Sequence, residues 1–198
     1  MAVDADEAYM RGLDFFTTAV GDVPPDGWDG DTPCAGWRPI DLLGHVGQAT
    51  RFGTALLRAE APGRDPVEVP GDAVQGDPVT WWSALADAAR AAVPGADLDR
   101  VVDSPRGPRS IREGLSFPAV DLFVHAWDLT RSAGRDVQIP EDMIAFAYAL
   151  AEPMPEEVLR GPGVFGPEVI PPQDATPTQR LAAWMGRDPL WRPAAGGA

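Results

Sequence analysis

Phe117-Pro118-Ala119-Val120-Asp121-Leu122-Phe123-Val124-His125-Ala126-Trp127-Asp128-Leu129 is apolar everywhere except at Asp121, His125 and Asp128. The run is too long for one strand, and a proline near its start suits a first helical turn. It therefore predicts a helix from about Phe117 to Ala133, buried nearly all round, with Gly134 as its stop. Asp121, His125 and Asp128 stand at i, i+4 and i+7 and so line one face. Burying a carboxylate is costly unless it is paired or bound to a cation. A helix of this kind needs other helices around it and a reason for its polar face.

The surrounding helices are readable on both sides. Asp4 to about Ala19 carries an apolar face of Ala8, Met10, Leu13, Phe15 and Phe16, with acids in its first turn. A second helix is predicted from Pro39 to about Arg58 and a third from Pro78 to Val93. Between these two, residues 61–76 form a Pro/Gly/Asp-rich loop. Residues 97–113 are read as an irregular hairpin, with Leu98, Val101 and Val102 before Arg106-Gly107-Pro108-Arg109 and Ile111 after it. A further helix is expected from Pro140 to Ala151, then a Pro-rich tail with one short helix at about Pro177–Met185. No internal repeat is visible. The helices do not alternate with apolar strands, which argues against a parallel α/β sheet. The expected fold is mainly α: an up-and-down four-helix bundle over 1–152, with a small hairpin-like segment, and a C-terminal extension over 153–198 packed on it.

The chain has 198 residues, 44% of them hydrophobic, enough for a real core. Its 21 glycines and 22 prolines fall between the apolar stretches, so they read as long loops and not as low complexity. The net charge of −14 disfavours nucleic acid and acidic membrane surfaces, since both recruit cationic proteins. Cys34 is the only cysteine, so no internal disulfide forms, which fits a reducing compartment. The first residues, MAVDADEAYM, carry acids where a signal peptide needs a basic and then an apolar run. No stretch has the length of a membrane helix. A cytoplasmic monomer or homodimer acting on a small molecule is the expectation.

Only two histidines are present. On the second helix, Leu42, Ala49, Phe52 and Leu56 share the stripe of His45, which places His45 toward the core, with Asp41 one turn earlier on the same side. Two ligands at i, i+4 on one helix and a third from a facing helix are a common way to build a metal site in a bundle. Two imidazoles and one carboxylate leave coordination positions open, the pattern of catalytic sites. The set suits Zn, Ni or Fe(II) and does not name the metal. The spacing fits an internal polar network equally well, with His125 paired to Asp121 and His45 satisfied in the core.

Trp37-Arg38-Pro39-Ile40-Asp41-Leu42-Leu43-Gly44-His45 and Asp121-Leu122-Phe123-Val124-His125-Ala126-Trp127-Asp128-Leu129 resemble two signature stretches of the DinB-like (YfiT-like) superfamily. They are more similar still to its mycothiol-dependent maleylpyruvate isomerase-like branch. The turn Thr32-Pro33-Cys34-Ala35-Gly36-Trp37, the segment Phe165-Gly166-Pro167-Glu168-Val169 and Gly186-Arg187-Asp188-Pro189 resemble short members of that branch. The resemblance implies a four-helix bundle with a divalent metal (Zn, Ni, Fe or Mn) at one end of the core. It carries the ligands to His45, Asp121 and His125, and implies mycothiol as co-substrate. Two departures stand out. The acidic ligand is Asp where the best-known isomerase has Glu, and the sizeable C-terminal domain of longer isomerases is missing, which puts maleylpyruvate in doubt as substrate.

Other residues have two readings each. Asp128 orients a histidine or water beside the metal, or pairs with Arg131 or Arg135. Arg51 and Arg131 bind a cofactor or substrate carboxylate, or are ordinary surface arginines. Cys34 is a nucleophile or part of a structural turn. Trp81, Trp82 and Trp127 line a pocket or pack the core. For the whole chain the leading expectation is a metal-dependent thiol transferase or isomerase. The alternatives are a tailoring enzyme of secondary metabolism and a small-molecule-binding accessory protein, both on the same bundle and without thiol chemistry.

Overall fold

The computed structural model describes residues 3–61, 67–104, 107–161 and 164–194. Residues 62–66 of the expected 61–76 loop and Arg106 of the expected hairpin turn lie outside the described residues. The chain forms α1 (Ala5–Asp22), α2 (Pro39–Leu57), α3 (Pro78–Ala92), the two-residue strands β1 (Val101–Val102) and β2 (Arg109–Ser110), the single turn α4 (Ile111–Gly114), α5 (Ser116–Ser132), α6 (Glu141–Ala151), α7 (Glu156–Leu159) and α8 (Pro177–Trp184). β1 and β2 pair antiparallel, which is the irregular hairpin expected from the sequence. Among the described residues no helix is long and apolar enough to cross a membrane.

Local chemistry sets the boundaries. Pro39 and Pro78 begin α2 and α3, where the missing N–H has no helical partner to lose. Asp77 accepts from Thr80 N at 2.8 Å, and Ser110 and Thr176 cap α4 and α8 together with Glu113 and Gln179. Gly134 ends α5 at a φ of 73°.

α1, α2, α3 and α5 form the bundle, with α1 and α2 each packed against both α3 and α5. Their directions follow from paired contacts. Phe15 packs against Phe123, and Arg112 and Arg135 before and after reach Asp6 and Asp22, so α1 and α5 run parallel. Asp14 and Thr17 meet Arg90 and Trp82 in reverse order, so α3 opposes α1. Gly47 meets Trp81 and Arg58 meets Ala88, so α2 runs with α3. The expected up-and-down bundle is thus refined to up-down-down-up. The connection from Arg58 to Asp77 is long enough to return the chain to the other end, which a short loop cannot do.

Tyr9, Leu13, Phe16 and Val20 of α1, Leu42, Leu43 and Val46 of α2 and Trp82 of α3 fill the core around the apolar faces of α5. α6 lies against α5, and α8 against α6. Of the three tryptophans in question, Trp82 is fully buried and donates to Thr17 Oγ1 at 2.9 Å, and Trp127 is buried under Arg131. Trp81 packs against Gly47, with Arg51 over its ring. All three are packing residues, and the pocket tryptophan is Trp37.

Candidate metal centre

α2 and α5 cross so that His45 and Asp121 face each other, and one turn along α5 brings His125 to the same point. One ligand-capable atom from each of His45, Asp121 and His125 lies within 4.8 Å of the others. His45 Nε2 stands 3.4 Å from Asp121 Oδ2. That is long for a hydrogen bond, whose usual length is about 2.9 Å. It matches the edge of a tetrahedron whose metal–ligand bonds are about 2.1 Å. The donor set, two imidazoles and a carboxylate, is of a kind that fits a divalent ion, and this one separation is compatible with it.

His125 is buried, and its Nδ1 lies 3.0 Å from Asp128 Oδ2. Asp128 is wholly buried and accepts two further bonds from Arg187, from Nε at 3.3 Å and Nη2 at 3.1 Å. A proton on Nδ1, shared with Asp128, leaves Nε2 of His125 as the lone-pair nitrogen. Asp128 thus contacts His125 and also forms an ion pair, with Arg187 in place of the expected Arg131 or Arg135. Arg131 pairs with Asp136 and Trp191 O, and Arg135 with Asp22.

A cavity of about 440 Å³ opens onto the cluster, with Cys34, Trp37, Phe117, Phe165 and Arg187 among its walls. His45 and Asp121 are 36% and 39% exposed at their side chains, and both line this cavity. They are the polar floor of a pocket and not sealed in the core. The ring of Trp37 stacks on His125 at 6.1 Å and meets His45 edge-on at 5.0 Å. Trp37 is held by its turn, where Thr32 Oγ1 donates to Trp37 O at 2.8 Å and Trp37 N to Cys34 O at 3.0 Å.

Two carboxylates share this small volume with one guanidinium. Burial works to raise the pKa of Asp121, but the His45 hydrogen bond and the nearby His125 and Arg187 outweigh it and hold the carboxyl below its ordinary range. Burial likewise opposes ionisation of Asp128, and Arg187 and His125 overcome it. Cys34 goes the other way: burial, then the carboxylate of Asp128, push its thiol up to about 11. A thiol that stays protonated at neutral pH is a poor nucleophile, and the Cys34 backbone is bonded within the turn through Thr32 Oγ1. Cys34, His125 and Asp128 also come within 4.8 Å of one another. The Arg187 guanidinium already occupies Asp128, which makes that second set unfavourable for a cation.

Arg51 and Arg131 are not brought to this cavity. Arg51 is exposed on α2 with its guanidinium 5.8 Å from the Trp81 ring centre. Arg131 is buried and directed to Asp136, Trp191 O and the Trp127 ring, away from the cavity. The cation that does reach the site, Arg187, lies in the tail, 59 residues beyond Asp128 in sequence. A signal beside it in the chain is Gly186, with φ of 86° and a Cβ position 2.6 Å from Gly166 Cα, where only glycine fits.

A helical bundle with a His–Asp–His cluster walled by a tryptophan turn defines a DinB-like protein. Residues 9–130 match the mycothiol maleylpyruvate isomerase N-terminal domain. The chain belongs to that family. It is 29% identical over 183 residues to an uncharacterized protein of Mycobacterium tuberculosis, found in strains CDC 1551 / Oshkosh and ATCC 25618 / H37Rv, covering 91% of this chain and 96% of the relative. Its fold is similar to the crystal structure of a histidine-to-alanine mutant of mycothiol-dependent maleylpyruvate isomerase. The TM-score is 0.57 at 15% identity, over 75% of this chain and 67% of that one.

Proposed function

We propose that the protein is a metal-dependent enzyme that uses a low-molecular-weight thiol, mycothiol by family, for S-transfer to or isomerisation of a small electrophile. The observation that carries this reading is the 3.4 Å gap between His45 Nε2 and Asp121 Oδ2, with His125 turned toward it by Asp128. His45, Asp121 and His125 would hold the ion. Three protein ligands leave a position for a thiol, and a divalent ion there lowers a thiol's pKa well below its free value of about 8.5. Zinc suits the donor set best, with nickel, iron and manganese as rivals.

The chain's own groups do the rest. Trp37 and Phe117 wall the cluster and limit water beside it. Asp128 fixes the tautomer of His125, and Arg187 keeps Asp128 ionised. In S-transfer the sulfur bonds to the electrophilic carbon as the leaving group departs, and the thiol proton passes to solvent. In isomerisation the sulfur adds to one carbon of a conjugated double bond, the resulting single bond rotates, and loss of the thiol restores the double bond.

The test is metal analysis of protein purified without chelator or affinity metal, followed by transfer of mycothiol to a bimane or chlorodinitrobenzene. The expected result is near-stoichiometric divalent metal, metal-dependent transfer, and a thiolate charge-transfer band in the cobalt form. Protein that neither contains metal nor takes up Zn, Ni, Mn or Fe(II) would defeat the metal. Metal-replete protein with neither band nor turnover would defeat the thiol and favour the tailoring-enzyme alternative.

A further inference from the structure

A second cavity of about 360 Å³ meets the first at His45, which lines both. Its walls include Ala49, Phe52 and Leu56 of α2, Ile111 beside the hairpin, and Leu115 and Pro118 at the start of α5. Of the α2 stripe through His45, Leu42 is buried in the core as expected, whereas Ala49, Phe52 and Leu56 line this space, and Phe52 is 51% exposed. Among the described residues that line it, none is Lys, Arg, Asp or Glu. Its two other polar side chains each hold one end of a hydrogen bond to backbone. Gln48 Oε1 accepts from Val67 N at 2.9 Å, and Ser110 Oγ accepts from Glu113 N at 3.1 Å.

We propose that this cavity binds the uncharged, apolar body of the electrophilic substrate, an alkyl or aryl chain whose reactive carbon sits at His45. The inference rests on the function proposed above for the His45 cluster. Away from His45, a carboxylate or other charge entering the cavity meets no charged side chain among the described lining residues and loses its hydration, which is strongly unfavourable. An apolar chain displaces water from apolar walls and gains by every methylene it buries. The volume is that of a small-ligand site, and His45 stands at the end where the chemistry is placed. The same reasoning excludes dicarboxylates, because the guanidinium in the neighbouring cavity, Arg187, is committed to Asp128.

The test uses full-length metal-bound protein and the neutral fluorophore N-phenyl-1-naphthylamine, displaced by 1-alkanols from butanol to decanol. The expected dissociation constants fall by about fourfold per methylene until the cavity is filled. Two substitutions plug the cavity: Gly114→Leu, whose Cβ meets no atom within 4 Å, and Ala49→Phe. In whichever variant keeps its native melting curve, octanol binding should weaken at least tenfold. Affinity independent of chain length, octanol binding unchanged in a folded plug variant, or displacement of the probe by hexanedioate as readily as by hexanol would overturn the proposal. Mycothiol transfer without alkanol binding would remove this assignment and leave the proposed function standing. Alkanol binding without thiol transfer would leave an apolar ligand site and remove the electrophile as its occupant together with the proposed function.

Discussion

Four donors converge on Asp41 at the start of α2: Arg38 N and Nε at 3.0 Å, Arg38 Nη2 at 3.1 Å and Gly71 N at 3.2 Å. The side chain, one turn from His45, ties the 3-10 turn Pro70–Ala73 to the helix and takes no part in the cluster. Removing it orphans Gly71 N and the first turn of α2, so Asp41→Ala should cost about 1–3 kcal/mol. The Arg38 hydrogen bonds, against a smaller opposing effect of burial, hold this carboxyl below the ordinary carboxylate range. A depressed folded pKa gives stability that is present above the unfolded value of about 3.9 and is lost as pH falls through the folded one. The urea midpoints of wild type and Asp41→Asn should therefore converge as pH drops from about 5 toward 2. A gap constant with pH would mean that charge is irrelevant there. At the cluster itself, His45→Ala, Asp121→Ala and His125→Ala should each abolish tight metal binding while far-UV circular dichroism stays helical. Cys34→Ala should bind metal as wild type does. The opposite pattern, measured by calorimetry, would break the assignment of ligands.

Elements pack here through missing side chains as much as through present ones. A Cβ on Gly47 would lie 2.2 Å from Trp81 Cη2, and one on Gly44 1.9 Å from Pro70 O. Alanine is a better helix former than glycine by about 1 kcal/mol, so propensity alone favours Gly47→Ala. The collision with Trp81 decides the outcome, and overpacking of this kind costs about 1–3 kcal/mol. Gly47→Ala should thus lower the melting temperature, and in a Trp81→Leu background the same change should be neutral or stabilising. A loss of equal size in both backgrounds would remove the steric cause. These contacts also explain what sequence could and could not reveal. Apolar periodicity exposed α1, α2, α3 and α5, because each buries a stripe, and the i, i+4 spacing put Asp121 and His125 on one face toward His45. Periodicity reports that a stripe avoids water without saying whether a core or a cavity covers it, so Ala49, Phe52 and Leu56 read as core. Helix direction is absent from such a pattern, and the parallel pairs α1/α5 and α2/α3 depend on a long connection whose path only the fold sets.

The tail reaches back to the centre of the bundle through Arg187, which no local pattern connects to Asp128. Arg131 adds a second tie through Trp191 O. Bound metal should stabilise this whole, since an ion held only by the folded state adds stability by mass action. Chelation should lower the melting temperature and leave a folded bundle, because the core of Leu13, Phe16, Leu42 and Trp82 does not depend on the ion. Arg187→Met is the sharper probe of how tail and site are joined. It keeps the length and apolar stem of the side chain and removes the charge from a place where Asp128 is 0% and Arg187 7% exposed. Asp128 is then a buried carboxylate with His125 as its remaining partner, and breaking a buried pair in this way costs about 3–5 kcal/mol. Loss of the clamp on Asp128 also frees His125 to rotate, which should weaken metal binding by about 10–100-fold. Both effects have one origin, so they should shrink together when Asp128→Asn is already present. Stability by urea denaturation and metal affinity by competition with a chromophoric chelator measure them separately. An Arg187→Met protein that is destabilised but binds metal as tightly as wild type would make Arg187 a strut for the tail alone, with no hold on the orientation of His125.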